Sequence, residues 1–407
     1  MRKWILAAAV VAATFISGGA GVAQSDQNLA MNNPDEQAWR LFLVVNASAA
    51  TAGANNALFE TWASDGDTFQ PTPVWPASPS PLQTGPRALS LIGRTHTGPS
   101  VEVVPGGSAL VSEETRRNRP DFDFIVNNTL FKVSGLQRAF TAGKTLAFPV
   151  DSMEVKANWV EVGRLHEFNG FTGTPADAAK IYHVNSVGGK QYALLSFHII
   201  SKLVPNWTWA TFEHKDNPGR CDVLGCIDNF GAAQAYVAPV SLVEATTHYA
   251  DCAKSPALLA PLAKAKIDPA FANYCLKGSQ SDFNDPSGLA NRVGNSVTEA
   301  GFVAQASCMS CHGRAAFDAT GHATSFAGFD PLTINTPLTS TGNGPIGPIN
   351  SNWYWVAGGP PSYPSLAHEG DITRIALPAD FVWSIPFCAI DDTARPAETK
   401  SRFCSRK

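Results

Sequence analysis

Cys308 and Cys311 stand three residues apart, and His312 directly follows the second of them. Two thiols at this spacing can add to the two vinyl groups of one porphyrin, and the adjacent imidazole is then placed to bind the iron axially. A Cys-x-x-Cys pair also serves thiol–disulfide exchange or supplies half of a zinc site. The histidine after Cys311 and the lack of a second such pair favour one covalent haem c. In that reading Cys308, Cys311 and His312 bind the cofactor, and His312 is the proximal iron ligand.

The rest of the chain must position these residues and supply a compatible compartment. Arg2 and Lys3 precede an apolar run from Trp4 to Ile16, and small residues end in Gly21-Val22-Ala23. This is the pattern of a secretory signal peptide over 1–23, too short to span a bilayer, so the mature protein is expected in the periplasm or outside the cell. Thiols oxidise there. Six cysteines remain after the motif, namely Cys221, Cys226, Cys252, Cys275, Cys388 and Cys404. Pairing each with its sequence neighbour is the simplest connectivity. Zinc binding by Cys252 with His248 is the rival reading, disfavoured by compartment and spacing. Without Arg2 and Lys3 the chain carries 28 basic against 34 acidic residues. No basic patch suggests nucleic acid or an anionic membrane as partner.

Apolar residues at Ala38, Leu41, Phe42 and Val45 predict an amphipathic helix over Asp35 to Asn46, behind Asn33-Pro34. Thr68 to Gly107 is dense in Pro, Gly, Ser and Thr and reads as irregular loop. The middle third reads as β structure. Lys144 to Val162 alternates, Ile181 to Val187 and Gln191 to Ile200 flank a Gly188-Gly189 turn, and Trp207 to Phe212 follows. Ser255 to Lys266 and Pro269 to Leu276 look helical, and Ser296-Val297-Thr298-Glu299 reads as a capping box opening a helix that runs into the motif. Phe317 to Pro364 lacks regular periodicity. The expected fold is α+β: a mainly antiparallel sheet domain over 24–285 and a C-terminal cytochrome c-like helical haem domain with a tail over 286–407.

The segments Met153-Glu154-Val155-Lys156-Ala157-Asn158-Trp159, Trp207-Thr208-Trp209-Ala210-Thr211-Phe212-Glu213-His214 and Asp380-Phe381-Val382-Trp383-Ser384-Ile385-Pro386-Phe387 resemble a bacterial family of exported monohaem cytochrome c-like proteins. The resemblance covers most of the mature chain. It implies haem binding and single-electron transfer with a redox partner protein or small electron donor or acceptor, and names no substrate.

Small cytochrome c domains typically take a methionine downstream of the motif as the second iron ligand, yet no methionine follows Met309 here. Met309 lies between the two cysteines and cannot reach the opposite face of the haem. His368, 56 residues after His312, is one candidate distal ligand and would give a low-potential carrier. Met153, from the β region, is a second and would raise the potential. His322, another histidine or an open position complete the set. An open position would admit peroxide or oxygen and make the protein a haem peroxidase or oxygenase, with His198, His214 beside Glu213, or His248 as distal acid–base groups. Asp282, Asn284 and Asp285 resemble part of a calcium loop but lack its full spacing, and read as a solvated turn.

Overall fold

A computed structural model describes residues 20–49, 55–77, 110–239, 249–300, 303–324, 346–349, 351–357, 372–394 and 404. β-Branched and aromatic residues recur with period two through the middle of the chain, and these runs form the centre of an antiparallel sheet. Its strands are β1 (Ala63–Ser64), β2 (Val111–Arg117), β3 (Met153–Glu161), β4 (Val184–Val187), β5 (Lys190–Ser201), β6 (Thr208–His214) and β7 (Tyr274–Gln280). They run in the order β1-β2-β3-β5-β6-β7, and β4 pairs with the start of β5. Gly188 and Gly189, both at positive φ (58° and 79°), make the tight β4–β5 turn, as a two-residue hairpin of this twist requires.

The sheet buries both faces. On the first, Met153, Val155 and Ala157 of β3, Phe197 and Ile199 of β5 and Ala210 and Phe212 of β6 share a core with Trp39, Phe42 and Val45. These last three come from the helix Pro34–Val45, which opens with Pro34 where the sequence predicts it. Each such large side chain contributes roughly 1.5–3 kcal/mol by leaving water. On the second face, Ile200 and Trp209 join a core with Ile125, Leu136 and Phe148, together with Met309, Phe317, Leu377 and Val382. Residues on both sides of position 285 thus build one hydrophobic cluster.

This sharing corrects the expected fold. The structure is a mixed α+β fold with a mainly antiparallel sheet, but the described residues beyond 285 form no cytochrome c-like helical domain. They contain two five-residue helices, Cys308–His312 and Ser384–Cys388, and short ladders pairing Ala316–Phe317 with Leu377–Pro378 and Trp355–Ala357 with Ile372–Arg374. The helix expected from Ser296 does not form because Ser296 is claimed by the sheet. Its amide and hydroxyl both donate to the Glu213 carboxylate of β6, at 2.8 and 2.5 Å. Asn295 caps a turn instead, its side-chain oxygen accepting from the amides of Val297 and Thr298.

Two further expectations change for similar reasons. Pro269 to Leu276 is helical only as a 3-10 turn over Pro269–Asn273, because Tyr274 already enters β7. The strand expected from Lys144 starts at Met153; ahead of it the Phe148 amide donates to Asp380 rather than to a ladder. The helix from Ser255 is present over Pro256–Lys264, with Ser255 as its cap. The cysteines pair with their neighbours, Cys221–Cys226, Cys252–Cys275 and Cys388–Cys404. No described helix is long and apolar enough to cross a membrane. Residues 1–19, His248, His368 and most of the predicted loop over 68–107 lie outside the described residues.

Candidate functional site

The motif occupies the short helix Cys308–His312, which lies on the second face of the sheet. Ser307 caps it, accepting from the Ser310 amide at 3.4 Å. Gln280 of β7 grips the same turn, donating to the Ser307 hydroxyl at 3.0 Å and accepting from the Met309 amide at 3.2 Å. The Cys308 amide donates to the Val293 carbonyl at 3.2 Å. Met309 is fully buried in the second-face core, so its thioether serves packing.

At the far end of the helix the carbonyls have dedicated donors. Arg314 donates to Ser310 O at 2.6 Å and Trp383 to Cys311 O at 3.2 Å. The Tyr354 hydroxyl donates to Gly313 O, and Trp353 donates to Arg314 O at 3.0 Å. A helix end buried this way needs such partners for its last carbonyls.

Cys308 and Cys311 are the two cysteines left without a disulfide. Burial pushes the Cys308 thiol well above its ordinary range and brings Cys311 to about 11. Both are therefore protonated at neutral pH in the metal-free chain, which disfavours thiol–disulfide exchange, since that needs the thiolate. His312 packs on Trp209 of β6, ring centres 4.7 Å apart, and its Nδ1 lies 2.9 Å from the Phe381 carbonyl. A carbonyl can only accept, so Nδ1 carries the proton and Nε2 keeps its lone pair. Burial takes the His312 pKa down to about 3, leaving the imidazole neutral, as iron ligation requires. Metal-binding histidines characteristically fix their second nitrogen on a carbonyl or carboxylate in this way.

Phe381 is held unusually. It and Asp380 both have positive φ, 71° and 48°, a conformation costing non-glycine residues roughly 1–2 kcal/mol each. Asp380 secures it by accepting from Lys202 Nζ at 2.6 Å and from the Phe148 amide at 2.8 Å. The Phe381 carbonyl is thereby aimed at His312.

A buried polar group borders the motif on the same sheet face. His198 of β5 has its Nε2 3.4 Å from Glu299 Oε1 and 3.4 Å from Asn295 Nδ2, while its Nδ1 is buried without a hydrogen bond. Lys156 of β3 sits beside it in register and pairs with Glu113 at 3.2 Å. Burial raises the Glu299 carboxyl, but the His198 imidazole and hydrogen bonds overcome this and hold it below its ordinary value. Lys156, His198 and Glu299 all act electrostatically on the His312 ring.

The other candidates are elsewhere. Met153 points into the core of the opposite face, so the sheet separates it from the motif and the sequence expectation of a Met153 ligand is corrected. His214 also lies away from the motif, stacked 3.7 Å from Tyr182 with Nε2 on Ile181 O and Nδ1 accepting from the Asp216 amide. Alternation along β6 sends its neighbour Glu213 to the other face. His322 is half-exposed and paired with Asp391 at 3.5 Å. Asp285 accepts from Ser287 and Leu289 within a solvated turn. Asp65, Cys388 and Cys404 bring potential ligand atoms together, but the two sulfurs are joined to each other. Trp209, Gln280, Asp380, Phe381 and Glu299 were not readable as site residues. Trp209, Asp380 and Phe381 lie in segments that carry the family resemblance and Glu299 in the capping-box pattern ahead of the motif, but nothing in those patterns points at His312.

The donor set fits a covalent haem. Two thiols stand apart from three completed disulfides, next to a neutral imidazole with one nitrogen anchored and one bare. The chain matches no protein-family model, no curated protein and no solved structure.

Proposed function

We propose that the protein is an exported c-type cytochrome carrying one covalent haem and passing single electrons between a donor and an acceptor. The observation that carries this reading is the conjunction of two unpaired thiols with a His312 whose Nδ1 is fixed on the Phe381 carbonyl at 2.9 Å. Cys308 and Cys311 would anchor the porphyrin and His312 Nε2 would bind the iron. The haem supplies a metal that changes oxidation state by one electron.

The chain's residues do the rest. Phe381 fixes the tautomer and orientation of His312, and Trp209 blocks rotation of its ring. The Asp380–Lys202 clamp keeps Phe381 in place, and Gln280 keeps the motif helix on the sheet. Rigid support of this kind limits rearrangement between oxidation states. Three disulfides and the signal-like start of the sequence support residence in the periplasm or outside the cell.

The test is purification from a host competent in cytochrome maturation, followed by mass measurement and visible spectroscopy. A mass raised by one haem and a c-type spectrum, both lost in Cys308→Ser/Cys311→Ser, are expected. A colourless protein with the mass of the bare processed chain would overturn the reading.

A further inference from the structure

His312 commits one ring nitrogen to Phe381 and offers one to a metal, which leaves the opposite axial position to be filled. Of the nine histidines in the chain, six are described. His183 has both ring nitrogens engaged by carboxylates at 2.8 and 2.9 Å. His214 has both engaged on the far side of the sheet. His166 is exposed and bonded to Gly163 O, and His322 is turned to Asp391 at the surface. His198 alone of these shares the motif's sheet face, and its Nδ1 is a buried ring nitrogen without a partner.

We propose that His198 is the second axial ligand of the haem, contributing its unpartnered Nδ1 while Glu299 holds Nε2. This rests on the cytochrome reading above. A buried polar atom left unpaired costs roughly 1–3 kcal/mol, and ligation would satisfy it. Glu299, 3.4 Å from Nε2, then plays for His198 the part that the Phe381 carbonyl plays for His312. Asn295 Nδ2 also faces Nε2 but has Thr211 Oγ1 as an acceptor at 3.1 Å, so the Nε2 proton can belong to Glu299. The motif and the His198 surroundings are physically joined: Cys308 donates to Val293, and Asn295 and Glu299 follow in the same segment. Lys156, beside His198 in register, is already paired with Glu113. Two imidazoles on one iron make a closed, low-potential carrier, so this assignment also argues against an open peroxidase-type position.

Haem-loaded parent, His198→Gly and His368→Ala proteins decide the matter by spectroscopy and carbon monoxide binding. The parent and His368→Ala are expected to be low-spin and slow to bind carbon monoxide. His198→Gly should lose the low-spin spectrum, bind carbon monoxide rapidly, and regain the low-spin state with added imidazole. Glu299→Gln should stay low-spin with a raised reduction potential, because a carboxylate partner makes an imidazole a stronger donor to ferric iron. If His198→Gly does not fold, His198→Met is read instead, with a raised potential expected from thioether ligation. A haem-loaded His198 variant with the parent's spectrum, low-spin iron lost in His368→Ala, or rapid carbon monoxide binding by the parent would overturn the assignment. Each of these leaves the covalent haem intact in the mass measurement, whereas a parent of bare mass removes the cytochrome reading itself.

Discussion

His183 joins three parts of the first-face core by charge. Its Nδ1 is 2.8 Å from Asp268 and its Nε2 2.9 Å from Glu60, all three side chains being buried or nearly so. Burial disfavours the imidazolium, but the two carboxylates override it and raise the pKa from 6.5 to about 9. At about 1.4 kcal/mol per tenfold change in proton affinity, that rise is worth about 3 kcal/mol of folding stability. Because the folded value lies above the unfolded one, this contribution is complete below pH 6.5 and is lost as pH rises through 9. His183→Gln removes it and leaves two carboxylates without their cation. Guanidinium unfolding of parent and variant should therefore differ most near pH 6, and the difference should shrink by about 3 kcal/mol by pH 10. Lys254, which burial brings down to about 8, titrates in both proteins and cancels. A parent-minus-variant difference that stays constant from pH 6 to 10 would refute a charged His183.

Asp380→Ala strips Lys202 of its buried counter-ion and the Phe148 amide of its acceptor, and should cost about 3–5 kcal/mol in chemical unfolding; Asp380→Asn, which keeps an acceptor for Phe148, should recover part of it. Replacing Cys252 and Cys275 by serine opens a link across 23 positions, worth about 3 kcal/mol in the chain-entropy treatment. The parent in strong reductant should lose at least that much stability, and no shift in the denaturation midpoint of the double variant would contradict it.

Period-two alternation through β3, β5 and β6 is visible in the sequence because strands expose alternate residues to opposite faces, and the paired glycines mark the β4–β5 turn. Neighbouring cysteines pair because short loops bring their own ends together. The Cys-x-x-Cys-His motif is equally legible, since its chemistry lies in five adjacent residues. What the sequence hides is tertiary competition. Ser296 reads as a helix cap until Glu213, 83 positions earlier, takes its hydroxyl. Phe381 reads as an ordinary aromatic until its carbonyl meets His312 across 69 positions. Which sheet face a residue points to depends on register, and the shifts at Asn158/Trp159 and Thr211/Phe212 blur any count along the strand. Met153 and His198 are indistinguishable as iron ligands until that register assigns them to opposite sides.

The second-face core gives the chain an unequal dependence between its halves. Met309, Phe317, Leu377 and Val382 have as their walls Ile125, Leu136, Phe148 and Trp209, all supplied by earlier residues. An excised 286–407 would leave this interior facing water, so the motif region cannot be transplanted as a self-sufficient module. Grafting it elsewhere would mean moving the sheet it leans on as well.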